Sequence, residues 1–255
     1  MEPGDLRVKR EGDLIVGLIG DRHEISAEVG MATVEIITGP CDDLTQIELD
    51  HNAALQRVVS AAASLGARLL GYGCQPKTPV TQPLMSAKIR YAVLHKAIGD
   101  DWFWFTATAS DQVHAAVARH EVVAATNVVN ALAAVTVGLC GNSPIIESMD
   151  TGFVSAREML MGKIGAGKGR HGMPLSPIKS IADHVSQLAT LPLLIRREAH
   201  GLVVGERDFN AFLAERPHLS DADAFDAFLL HEHYIWQSGR PRSNHGTVEV
   251  RSAAQ

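Results

Sequence analysis

Glu35, His114, Glu249 and Arg251 share one pattern although they are scattered through 255 residues: each lies on the polar side of a run whose alternate residues are apolar. Successive side chains of a strand point to opposite faces, so such parity separates a core face from a face free to do chemistry. Ala32, Val34 and Ile36 alternate with Thr33 and Glu35, and Val248 and Val250 alternate with Thr247, Glu249 and Arg251. Between Phe103 and Val117 the odd positions are nearly all apolar, while the even ones include Thr106, Thr108, Ser110, Gln112 and His114. If the three strands share a sheet, these side chains converge on its uncovered face. Two carboxylates and a neutral imidazole there suit a divalent cation, with oxygen ligands favouring Mg²⁺ or Mn²⁺. The plainer alternative is an antiparallel sheet with one solvated face.

Other constellations carry less. Gly162 to Gly169 has the glycine and lysine positions of a phosphate-binding loop, but Gly169 stands where Ser or Thr would hold Mg²⁺, and no strand precedes it. It reads as a basic loop able to cover a phosphate-bearing ligand, or as a solvated linker. His231-Glu232-His233 lacks the spacing that puts two ligands on one helical face, which favours a surface position. Cys74 has no identifiable partner and reads as a small buried or turn cysteine, and Trp102 and Trp104 as packing at a sheet edge.

The elements that must position these residues follow from periodicity and punctuation. Strands are expected at Leu14 to Ile19, Val29 to Thr38, Ala67 to Tyr72, Trp102 to Val117 and Thr247 to Ser252. Asp43 and Gln46 stand at capping-box spacing before a helical stripe that runs from Leu44 to Leu65 and stops at Gly66. Further helices are expected over Leu84 to Ile98, Val122 to Leu139, Ile178 to Ala189 and Ala222 to Trp236. Val122 to Leu139 is almost long enough to span a bilayer, but its alanines, Thr126, Asn127, Asn130 and Thr136 mark it as a buried helix, so no membrane partner is expected. The whole reads as one α+β domain over 1–255: a mainly antiparallel sheet with helices on one face.

With 46% hydrophobic and 20% charged residues the chain is ordinary globular material, which excludes disorder for most of it. A net charge of -6 argues against nucleic acid as its main partner. Three distant cysteines and a polar start, without a secretory signal, point to a cytoplasmic protein.

The ordered motifs resemble a known family. Glu35-Ile36-Ile37-Thr38-Gly39-Pro40-Cys41 comes first, then Gly73-Cys74-Gln75-Pro76, Arg90-Tyr91 and Gln112-Val113-His114. Asn142-Ser143-Pro144, Asp150-Thr151-Gly152-Phe153 with Ser155 and Arg157, Arg240-Pro241 and Gly246-Thr247-Val248-Glu249-Val250-Arg251 complete the series. From about Glu24 onward this resembles the glutamate–cysteine ligase type 2 family, the carboxylate–amine ligases related to glutamine synthetase. The resemblance implies a saddle-shaped antiparallel sheet whose concave face holds ATP and divalent metals. It implies an ATP- and Mg²⁺- (or Mn²⁺-) dependent reaction in which the γ-carboxylate of glutamate, or a similar carboxylate, becomes an acyl phosphate. An amine such as that of cysteine then attacks it to form an amide. By motif position Glu35, His114 and Glu249 are implied as metal ligands, Glu249 and Arg251 as catalytic, and Gln112, Asn142, Arg157 and Thr247 as nucleotide- or substrate-binding; a homo-oligomer is left open. A Glu249→Gln change is expected to abolish activity with little loss of folding. The family's first acidic strand, Gly-Val-Glu-x-Glu, has no counterpart here, with Glu24 and Glu28 the nearest substitutes, and the chain stops directly after its last strand motif. Those departures keep a second expectation in play: a shortened, non-catalytic nucleotide- or amino-acid-binding protein on the same fold.

Overall fold

The computed structural model describes residues 6–164 and 169–254. Helices and antiparallel strands are mixed along the chain, as expected for α+β, but the strands fall into several sheets rather than one. The first is a four-stranded antiparallel meander, β1 (Arg7–Glu11), β2 (Leu14–Ile19), β3 (His23–Ala27) and β4 (Val34–Thr38). Helix α1 (Leu44–Ser64) covers it and starts as its capping box dictates, the Asp43 carboxylate accepting a 2.8 Å hydrogen bond from the Gln46 backbone N–H. The strand expected at Ala67 to Tyr72 does not form, and Leu69, Leu70 and Tyr72 are exposed.

Helix α2 (Ile89–Ile98) ends at Gly99, whose φ of +83° suits a residue without a Cβ. The stretch expected as one long strand then divides. Asp100–Ala107 is a 3-10 turn, and only Ser110–Ala116 (β5) is extended. Trp102, Phe103, Thr106 and Ala107 bury on a period near three, and the Thr106 hydroxyl bonds the Phe103 carbonyl at 2.7 Å, so alternating aromatic residues imitated a strand. Trp102 is therefore a core residue, 2% exposed, among Tyr91, Leu94, Leu194, Ile195 and Tyr234, and not part of a sheet edge. In β5 itself neither face is buried, and Val113 is 56% exposed.

The apolar segment forms two helices, α3 (Val122–Ala131) and α4 (Ala133–Cys140), bent by 51°, and among the described residues no single helix is long and apolar enough to cross a membrane. Its two asparagines are clasps. Asn127 exchanges two hydrogen bonds with the Ile178 backbone (2.8 and 2.9 Å), and Asn130 exchanges two with Gly239 (2.7 and 2.9 Å). A Cβ on Gly239 would lie 2.4 Å from a Val129 methyl carbon, so a glycine is required for this approach. The segment is only partly buried, with Val128, Leu132, Val135 and Leu139 exposed.

Beyond it come the short pair β6 (Ile145–Ile146) and β7 (Met149–Asp150), helix α5 (Ala156–Lys163), β8 (His171–Gly172), α6 (Ile181–Ala189), the hairpin β9 (Ile195–Glu198) and β10 (Gly201–Val204), α7 (Phe209–Ala214) and α8 (Asp221–His233). The last strands are β11 (Trp236–Gln237), β12 (Gly239–Arg242) and β13 (Thr247–Ala254). β11 runs parallel to β8, and β12, β13 and β5 form a three-stranded antiparallel sheet in that order, packed against α3 and α4.

Of His231-Glu232-His233 only His233 lies at the surface as expected. His231 and Glu232 are each 2% exposed; His231 is hydrogen-bonded through Nε2 to the Leu188 carbonyl and stacks on Phe209, while Glu232 accepts from the Ser243 hydroxyl at 2.8 Å. Half of the glycine-lysine stretch 162–169, residues 165–168, lies outside the described residues.

Candidate active site

β12 and β13 are joined by the four-residue turn 243–246, which sets Arg240 directly opposite Glu249; on the other side of β13, Glu249 faces His114 of β5. Pairing thus brings the expected polar row of this sheet together, but the apolar row of β5 is exposed and Glu249 is buried, the reverse of a core face backed by an uncovered one. Glu249, 1% exposed, takes the Arg240 Nε at 2.6 Å and the Arg242 Nη1 at 3.1 Å on one oxygen, and the Arg251 Nη1 at 2.5 Å on the other. Arg251 also donates to the Gln112 side-chain oxygen at 2.8 Å. His114 Nε2 lies 3.7 Å from Glu249, and its Nδ1 is hydrogen-bonded to the Thr247 hydroxyl at 3.0 Å. Five of the expected site residues, Gln112, His114, Thr247, Glu249 and Arg251, thus form one cluster.

Burial would push the Glu249 carboxyl up, but the guanidinium groups of Arg251, Arg240 and Arg242 overcome it and hold the group well below the usual carboxylate range. Burial, together with Arg251, brings Arg240 down to about 9. His114 is lowered by burial and by Arg242, His245 and Arg240 against the pull of Glu249, so it is a neutral imidazole near pH 7. Arg157 of α5 adjoins the cluster: it donates to the Arg251 carbonyl at 3.3 Å and pairs with Glu158, which in turn meets His171 at 3.3 Å. Four guanidinium groups (Arg157, Arg240, Arg242, Arg251) therefore stand against two carboxylates (Glu158, Glu249), a surplus that suits an anion.

Glu35 does not join this cluster. It lies on β4 of the other sheet, opposite Ser26, and interacts with Glu28 and Glu24. Burial, then the charge and hydrogen bond of Glu28, raise its carboxyl to about 7. Asn142 is apart as well: its side chain donates to the Gly71 carbonyl at 2.9 Å and ties two loops together. Cys74 is buried, and burial pushes its thiol up to about 11, which suits a packing residue.

Glu35, His114 and Glu249 consequently do not fit a single metal ion in this arrangement. Both Glu249 oxygens are engaged by guanidinium groups, and among the described residues no group of three His, Cys, Asp or Glu could hold one. Motif reading gave no role to Arg242, Glu158 or His171, quoted Arg240 only as part of Arg-Pro, and named Glu28 only as a substitute for the missing acidic pair. Arg240 and Arg242 were accessible to pattern: they sit two apart before a Ser-Asn-His-Gly turn that returns the chain onto Glu249.

Comparison with known proteins agrees with the motifs. Residues 6–255 match the family described as glutamate-cysteine ligase family 2. The chain is 29% identical over 153 residues to the chloroplastic glutamate–cysteine ligase of Medicago truncatula, covering 58% of this chain and 30% of that protein. It is 27% identical over 154 residues to the putative glutamate–cysteine ligase 2-1 of Corynebacterium efficiens, and 25% identical over 147 residues to the putative glutamate–cysteine ligase 2 of Cupriavidus metallidurans. Each bacterial match covers 57% of this chain, and 39% and 40% of those relatives respectively. The matches thus span less than half the length of these relatives. On the match over nearly its whole length, the chain belongs to glutamate-cysteine ligase family 2.

Proposed function

We propose that this chain is an ATP-dependent carboxylate–amine ligase that forms an amide through an acyl phosphate, with glutamate or a similar carboxylate and an amine such as cysteine as substrates. The observation that carries this reading is the Glu249 carboxylate ringed by Arg240, Arg242 and Arg251 on the strand that bears the Gly-Thr-Val-Glu-Val-Arg motif. Phosphoryl transfer depends on positioning and on spreading the charge of the transferred group more than on covalent chemistry, and a cationic cluster beside a neutral imidazole supplies both. Arg251, held in place by Glu249 and Gln112, faces the developing charge as the substrate carboxylate attacks the γ-phosphorus and ADP leaves. Glu249 acts by orienting the guanidinium groups, with Thr247 and His114 bordering the same face. The amine then attacks the acyl carbon, phosphate departs, and the amide carries the former carboxyl carbon.

Mg²⁺ or Mn²⁺ belongs to this proposal at Glu28 and Glu35, a carboxylate pair of the kind that Mg²⁺ uses when phosphates and waters complete its shell. A saddle in which the four-stranded and three-stranded sheets face a common nucleotide is part of the same reading. The test is to incubate the chain with ATP, Mg²⁺, glutamate and a panel of amines and measure ADP. Release that rises with at least one amine supports the ligase; tight binding of an ATP analogue with no amine-dependent release supports a non-catalytic binding protein on this fold.

A further inference from the structure

Beside the arginine cluster, where β13 passes α5 and β11, lies a hollow with apolar walls of Phe105, Met161 and Trp236 and a polar side of Arg157, Arg251 and Ser252. The register of β13 against β5 shifts between Val250 and Ala253, and such an irregularity lets the consecutive residues Arg251 and Ser252 both border the hollow instead of pointing to opposite faces. Ser252 is 2% exposed, yet among the described residues its hydroxyl oxygen makes no hydrogen bond, and the same is true of the buried Nε of Arg251. Buried donors left without partners are costly, and two at one concave place are expected to be met by a ligand. The Glu158 carboxylate does not meet them, being engaged by Arg157 and His171. The hollow has room for about one water molecule (10 Å³) within roughly 250 Å³ of empty space that includes its mouth, smaller than the ~300–1,000 Å³ of sites for drug-sized ligands.

We propose that this hollow is the subsite for the carboxylate of an amino-acid substrate, one oxygen occupying the water-sized space and meeting Ser252 Oγ and Arg251 Nε while the rest of the molecule lies in the mouth. The assignment rests on the ligase reading above and names the substrate group that this side of the site takes. Arg251 then serves both sides at once, its Nη1 turned to Glu249 and Gln112 and its Nε to the carboxylate, so the phosphate-facing side and the substrate are held by one guanidinium. The repulsion that Arg157 feels from Arg251 is relieved when an anion lies between them.

Ser252→Ala removes an oxygen that bonds nothing in the free protein, so the fold should survive it. Calorimetry on the full chain with L-glutamate should show about tenfold weaker binding in this variant and unchanged affinity for a non-hydrolysable ATP analogue. Arg157→Lys, which keeps the charge and loses the planar fork, should weaken glutamate binding as well. Inorganic phosphate should not displace glutamate; displacement would make the hollow a phosphate site and overturn the proposal, as would no glutamate binding or equal binding by Ser252→Ala. ADP release with an unchanged glutamate KM in Ser252→Ala would defeat the subsite alone, whereas Ser252-dependent glutamate binding without ADP release would defeat the ligase reading alone.

Discussion

Replacing Glu249 with glutamine should cost folding as well as activity, contrary to what the motif alone implies. The carboxylate is 1% exposed and is the anion shared by Arg240, Arg242 and Arg251, with side-chain exposures of 3%, 13% and 12%. Glutamine keeps the shape but leaves three nearly buried guanidinium groups facing one another. Removing one partner of a buried ion pair costs about 3–5 kcal/mol, and with three cations on one acid the upper part of that range applies. Against a total stability of ~5–15 kcal/mol this is a large fraction. Urea unfolding followed by Trp fluorescence should show a midpoint lowered accordingly with an unchanged slope. Arg207→Gln, at an exposed ion pair, serves as control and should change stability by less than about 1 kcal/mol. Phosphate should restore part of the loss in Glu249→Gln, since an anion can take the place of the carboxylate. A Glu249→Gln protein as stable as its parent would refute the view that this acid holds the cluster together.

Two further outcomes concern pH. The Glu35 carboxyl, raised by burial and by Glu28 from its ordinary 4.5 to about 7, takes up a proton on folding. Its stabilising share is full below about pH 4.5 and is lost as pH rises through 7, by at most about 3 kcal/mol. Glu35→Gln should therefore be more stable than the parent at pH 8, and Mg²⁺ should shrink the difference; thermal unfolding across pH 5–8 measures both, and equal profiles would contradict the assignment. Burial lowers His231 and His184 to about 4, so folding excludes protons and stability falls as pH drops from 6.5 toward 4. His231→Phe, stacking on Phe209 in the same place, should make that pH slope shallower by about one proton, read from denaturation midpoints between pH 4 and 7.

What was legible in the chain was local. Asp43 and Gln46 announced the start of α1, and the parity of Thr247 to Arg251 assigned Glu249 and Arg251 to one face, because caps and pleats are properties of neighbouring residues. Failures came where distant packing decides. Trp102 to Ala107 alternates like a strand but coils as a 3-10 turn because its aromatic groups bury on one side against α2 and the β9 region. His231 looks solvated but is buried in a satellite core around Phe209 and Leu188. The arginine ring of Glu249 was half visible, since the hairpin turn fixes the register of Arg240, but the arrival of Arg157 and Glu158 on α5 at the end of β13 is set by distant packing.

An acyl phosphate leaves its mark in the fate of the carboxylate oxygen. Glutamate labelled with ¹⁸O in its γ-carboxylate, supplied with ATP, Mg²⁺ and the amine that raises ADP release, passes one labelled oxygen to inorganic phosphate if an acyl phosphate forms. One ¹⁸O should appear in the phosphate for each amide made, detected by mass spectrometry. Amide formed with unlabelled phosphate, or no ADP released with any amine, would contradict this mechanism.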